Sequence, residues 1–159
     1  MEKDINKSIK IYKDYLKEGY IQDAYKALTK YIALLKADFC TKYKTGNISF
    51  GYLDYTYFAF YNDYLRNKGL RFGIVLNHKE MQIELWLMAR NEVLHQEYWN
   101  ILKDTKWNKN VTNIPKYSVL EVVLENNINF NNKELMTKNI IDSAVDLTQE
   151  IEEYIKNNV

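Results

Sequence analysis

From Leu70 to Ala89 the chain reads LRFGIVLNHKEMQIELWLMA, and no other stretch restricts the possible folds so tightly. Leu70, Phe72, Ile74, Leu76 and His78 alternate with Arg71, Gly73, Val75 and Asn77. Met81, Ile83, Leu85, Leu87 and Ala89 alternate with Glu80, Gln82, Glu84, Trp86 and Met88. A period of two marks a half-buried strand. With Lys79 and Glu80 at the turn, Leu76 meets Ile83, Ile74 meets Leu85 and Phe72 meets Leu87. One face of this hairpin is then apolar from end to end and needs a cover. A four-residue turn keeps the same parity, so the assignment does not depend on turn type. The other face pairs Gly73 with Trp86 and Val75 with Glu84, and the glycine is expected to let the indole lie over bare backbone.

The flanking segments have helical period. In DINKSIKIYKDYLKEG, Ile5, Ile9, Tyr12 and Leu16 share one face, the lysines lie away from it, and Gly19 is a plausible stop. In IQDAYKALTKYIALLKADFCTKYK the stripe is Ala24, Leu28, Tyr31, Leu35 and Phe39, with Gly46 as the expected end. The short link between them predicts an antiparallel helical hairpin. SFGYLDYTYFAFY is aromatic and β-branched, with Asp54 its only charge, and reads as a strand over about 50–60 whose buried face the pattern leaves open. A helical turn closed by Gly69 follows. Asn91 is placed to cap a helix starting at Glu92. In SVLEVVLEN, Ser118 and Glu121 have capping-box spacing while the β-branched content favours a strand; the spacing is taken to predict a helix over 118–124. A last helix begins in NNKEL, with Ile140, Ala144, Leu147, Ile151 and Tyr154 as its seam. The expected fold is α+β: one domain over 1–159, with a three-stranded antiparallel meander and about five helices on its apolar face.

A length of 159 residues suits one core, and a 47% hydrophobic content argues against disorder. Five glycines and one proline suit long helices. A net charge of +1 supplies no global field toward nucleic acid or membrane, so neither is expected as a partner. Residues 1–45 carry +4 and residues 117–159 carry −5, which suits attraction within the fold. Cys40 is alone and reads as a buried structural thiol. The N-terminal segment has no apolar signal core and no run approaches a membrane span, so a cytoplasmic protein is expected.

The segments GYLDYTYF, FGIVLNHKEMQIELWL and HQEYW resemble a family of small bacterial proteins of unknown function, found mainly in low-GC Gram-positive bacteria. The resemblance runs from about Tyr25 to Ile151. It implies a single cytoplasmic domain and brings no activity, cofactor or catalytic residue with it.

Phosphate-loop, nucleophile-elbow and zinc patterns are lacking in the sequence, and no cofactor or metal is expected. His78 and His95 read as solvated or capping histidines. Glu84 and Arg90 draw attention on the hairpin's second face, where Glu84 is expected to pair with Arg71 or Arg90, and Asp54 would face Glu84 across neighbouring strands if its own strand presents it on that side. The favoured function is a non-enzymatic small-molecule-binding or protein-interaction domain, with a homo-oligomer among the expected assemblies. Its ligand pocket for a small polar molecule would gather Asp54, Tyr55, Glu84, Trp86, Arg90, Gln96 and Trp99. The alternative is an enzyme, or a degenerate restriction-endonuclease-like domain using Asp54 and Glu84. With SVLEVVL as a strand the order helix, three strands, helix, strand matches that nuclease core, but Trp86 stands where its catalytic lysine belongs.

Overall fold

The computed structural model describes residues 3–159. Five strands form one antiparallel sheet in sequence order: β1 (Lys44–Ser49), β2 (Tyr55–Tyr61), β3 (Leu70–Asn77), β4 (Gln82–Ala89) and β5 (Leu120–Glu125). The helices are α1 (Ile5–Leu16), α2 (Tyr20–Ala37), α3 (Asp63–Asn67), α4 (Glu92–Leu102) and α5 (Lys133–Asn158), with a 3₁₀ turn at Phe130–Asn132. No described helix is long and apolar enough to cross a membrane.

The hairpin has the register that alternation predicts, with Phe72 opposite Leu87, Ile74 opposite Leu85 and Leu76 opposite Ile83. Its turn spans the four residues between Asn77 and Gln82, and Met81 takes φ 50° there. Asn77 Oδ1 accepts from Glu80 N at 3.2 Å and steadies the turn. All six of those apolar residues are buried in the main core with Phe58 and Phe60 of β2. The cover comes from Leu28, Tyr31, Ile32 and Leu35 of α2, Leu65 of α3, Tyr98, Trp99 and Leu102 of α4, and a seam through Met136, Ile140, Ala144, Ile151 and Ile155 of α5. Each large side chain so buried contributes about 1.5–3 kcal/mol. Tyr31 and Thr137 hydrogen bond at 3.0 Å and tie α2 to α5 inside this core.

Two strands stand beyond the three expected. Residues 118–124 are a strand lead-in and β5, not a helix. Ser118 and Glu121 do interact, Oγ donating to Oε1 at 2.6 Å. The bond joins side chains instead of capping a helix, because β4 offers a free edge: Val119 N donates to Leu87 O at 2.7 Å, and Leu85 pairs with Val122. Edge pairing satisfies a whole row of backbone groups at once, and the β-branched residues favour it. The sequence pattern predicts a helix that runs on to Gly46, over the start of β1. In fact α2 stops at Ala37, and Gly46 lies within β1 where a bulge shifts its register against β2. Phe39 and Tyr43, on the turn between them, still reach the core against Phe60.

The caps divide similarly. Asn91 accepts from Leu94 N at 2.9 Å and starts α4. Asn62 does the same for α3 through Leu65 N. Gly19 both ends α1 and opens α2 in a left-handed conformation at φ 80°. The helical hairpin forms, but α1 buries no residue: Ile5, Ile9 and Tyr12, its apolar stripe, stay exposed. Cys40 is free and only partly buried.

Candidate functional site

All the buried helical residues face one side of the sheet. The other side carries a separate small cluster of Ala59, Val75, Trp86 and Met88, with Tyr55 and Tyr57 packed on it and no helical residue in it. Strand parity puts them together. Tyr57 pairs with Val75, Ala59 with Gly73 and Gly73 with Trp86 across β2, β3 and β4. The space above Gly73 is taken by Met88, not by the indole: a β-carbon at Gly73 would stand 2.7 Å from Met88 Cε. Trp86 leans instead against Tyr55, ring centroids 4.8 Å apart and edge-on, a favoured aromatic geometry.

Glu84 lies beneath this surface, buried, and is held by three neutral donors. Trp86 Nε1 donates to Oε2 at 2.6 Å, Gln82 Nε2 to Oε1 at 2.6 Å and Asn77 Nδ2 to Oε1 at 3.1 Å. The expected pairing with Arg71 or Arg90 is not formed. Arg71 lies opposite Met88, four residues along β4 from Glu84 and so about 13 Å away, whereas Asn77 and Gln82 form the neighbouring cross-strand pair. Glu121 is the cross-strand partner of Trp86. The residue as a whole is exposed, but its carboxyl turns inward to Ser118. Lost solvation holds its pKa above the ordinary carboxylate range, against the Ser118 hydrogen bond and with help from the charge of Glu84.

Asp54 is not in the strand. It sits in the loop before β2, where Oδ1 accepts from Tyr52 N and Tyr55 N, each at 2.7 Å. Those backbone bonds, to Tyr52 first, hold its carboxyl below the usual range. A turn bonded this way shapes the 50–54 loop against Gly51, which takes φ 69°. Loop and sheet enclose an open cavity of about 350 Å³, with Tyr52, Tyr55, Tyr57, Trp86, Met88 and Tyr117 as its aromatic and apolar walls and Ser49, Asp54 and Arg71 as polar ones. Only an edge of Trp86 contributes, since the residue is 4% exposed. Tyr52, 95% exposed, stands at the rim. Burial raises the pKa of the Tyr55 hydroxyl, with Glu121 and Glu84 adding to it, so it remains a donor near neutral pH.

Of the seven expected ligand residues, Asp54, Tyr55 and Trp86 share this cavity. Glu84 underlies it through the indole bond. Arg90 lines an adjoining hollow. Gln96 and Trp99 are elsewhere: Trp99 is buried in the main core under the opposite face of the sheet, and Gln96 is exposed on α4. The helical pattern puts Trp99 off the α4 stripe, yet Trp99 is buried in the main core with Tyr98 and Leu102 of the same helix. Tyr57, Arg71 and Met88 also belong to the cavity; the parity of Arg71 and Met88 with Glu84 and Trp86 is readable in the sequence, whereas that of Tyr57 is not, because the pattern leaves the buried face of its strand open. Tyr117 comes from a loop and left no such signal.

The nuclease comparison fails on its two acids. Asp54 is bound by backbone and lies outside the strand, Glu84 is bound by side-chain amides and the indole, and Trp86 occupies the lysine position. β5 also runs antiparallel to β4, because residues 103–119 return the chain to the end of β4 that it left. Among the described residues no group of three His, Cys, Asp or Glu side chains is arranged to hold a metal ion.

Residues 5–155 match the family described as Domain of unknown function (DUF7000), and the chain belongs to that family. No curated protein and no solved structure matches it.

Proposed function

We propose that this protein is a non-enzymatic binding domain that takes a small polar ligand carrying a planar ring into the cavity on the helix-free face of its sheet. The observation that carries this reading is the cavity's makeup: an aromatic wall of Tyr52, Tyr55, Tyr57 and Tyr117 around the edge of Trp86, with Arg71 and Asp54 at its border. Aromatic rings give a ligand large contact area at little conformational cost, and a few polar groups then fix its orientation. Glu84 acts from below by holding the indole in place through its N–H.

The test is titration with uncharged aromatic compounds, nucleosides and aromatic amino acid amides among them, followed by tryptophan fluorescence and melting temperature. A binding compound should quench a signal that Trp86→Phe abolishes. Tyr52→Ala and Tyr117→Ala, both at exposed rim positions, should weaken it several-fold while leaving the fold intact. If no compound shifts either readout, the reading is wrong. A second reading, a protein interface or homo-oligomer on the same face, has support from Phe50, Tyr52 and Leu53, which leave apolar surface exposed beside the cavity. A stable dimer in solution that Tyr52→Ala dissociates would favour it over the ligand.

A further inference from the structure

The chain has three arginines among its 22 basic residues, and all three, Arg66, Arg71 and Arg90, line one open hollow of about 520 Å³. No lysine and no acid lines it. Among the described residues every ion pair is made by a lysine, so the three guanidinium groups are left without carboxylate partners. Three like charges around one hollow repel each other, and among the described residues no carboxylate lies within ion-pair distance of them.

Three backbone segments bring them together through one residue. Gly69 closes α3 with φ 70°, its N donating to Arg66 O at 3.0 Å. Its carbonyl accepts from Arg90 N at 2.8 Å, just past the end of β4. A β-carbon there would come 2.6 Å from Leu94 Cδ1 and 3.7 Å from Arg90 Cζ, so the close approach depends on glycine. Arg71 follows two residues on, at the start of β3. The hollow is therefore built on a helix end and two paired strands, a rigid base for three side chains.

We infer that Arg66, Arg71 and Arg90 form an anion site for the phosphoryl or diphosphate group of a small molecule. Arginine presents a planar fork of N–H donors that matches phosphate oxygens in pairs, and one carboxylate would satisfy only one such fork. A phosphoryl group offers three oxygens and close to two charges, and the hollow has room for a diphosphate. Arg71 and Ala89 also line the aromatic cavity, so the two spaces share a wall. A phosphorylated ligand with a planar ring would fill both. That extension rests on the proposed ring cavity, whereas the anion site is read by phosphate chemistry alone.

The experiment uses the full chain and three probes: inorganic pyrophosphate for the arginines, adenosine for the ring cavity, and ADP for both. Calorimetry at about 0.15 M salt keeps diffuse attraction small. Pyrophosphate should bind saturably at one site. Arg66→Gln and Arg90→Gln should each weaken it at least about tenfold, and a distant control, Lys138→Gln, should not. Because the arginines are exposed, the variants should keep the circular dichroism of the parent. Arg66→Lys and Arg90→Lys, which keep charge and lose the fork, should also bind more weakly. No saturable pyrophosphate binding, equal loss in Lys138→Gln, or unchanged binding by the lysine variants would each overturn the site. Tighter binding of a short single-stranded oligonucleotide through the same arginines would overturn the small-molecule assignment. ADP should bind at least tenfold tighter than pyrophosphate and quench Trp86; equal affinities would overturn the shared ligand. Adenosine failing where pyrophosphate succeeds would count against the ring cavity and leave the anion site standing.

Discussion

The bond between Trp86 and Glu84 joins two residues that are each 4% exposed, at 2.6 Å, and a double-mutant cycle measures what it contributes. Glu84→Gln keeps the shape but converts one acceptor oxygen into an NH₂. If its oxygen stays on the indole N–H, the NH₂ faces Gln82 and Asn77, which now donate to Oε1. Both are half-buried and Gln82 can rotate to accept, so the loss should be about 1–2 kcal/mol. Trp86→Phe removes the N–H and part of the ring packed on Tyr55. It leaves Oε2 short of a donor and a small void, about 2–4 kcal/mol together. The pair should be less harmful than the sum, because once the indole N–H is gone the amide oxygen introduced at position 84 is free to turn to the Gln82 and Asn77 donors. A coupling of about 1–2 kcal/mol is expected, well above the roughly 0.3–0.5 kcal/mol of additive sites. Urea unfolding followed by far-UV circular dichroism is the assay, since the second variant alters the tryptophan signal. Additivity within that scatter would refute the claim that Glu84 holds the indole.

Two further outcomes follow from the core and from the rim of the sheet. Ile74→Ala and Leu85→Ala, opposite each other on the covered face, should each cost about 2–5 kcal/mol in urea unfolding; losses under about 1 kcal/mol would mean the faces are reversed. His78 stacks on Tyr25, bonds Thr56 Oγ1 through Nε2 at 2.8 Å, and has its pKa pushed below 6.5 by burial, against the pull of Asp54. The unfolded chain therefore takes up this proton first as pH falls. Stability should be full above pH 6.5 and decline as pH drops from there toward the folded pKa, and His78→Gln should flatten that slope in melting-temperature measurements.

The hairpin was legible in the sequence because its information is local. A period of two over twenty residues fixes which side chains share the apolar face, and the structure has Phe72, Ile74 and Leu76 opposite Leu87, Leu85 and Ile83. Asn91 and Gly69 were legible for a similar reason: a cap or a left-handed stop depends on backbone groups a few residues away. Ser118 and Glu121 show where local reading ends. Their spacing is that of a capping box and they do bond, yet the segment is a strand, because the unpaired edge of β4 is supplied by residues thirty positions earlier. The pocket divides along the same line. Parity alone put Glu84 and Trp86 on one face, while Trp99 could not be separated from them until α4 was seen to lie over the opposite side. The absence of helices from the second face, the exposed stripe of α1 and the meeting of Arg66, Arg71 and Arg90 were decided only by tertiary structure. Which face a helix covers depends on competition among all the apolar surfaces of the chain, and three charges separated in sequence become one site only when a glycine lets their backbones touch.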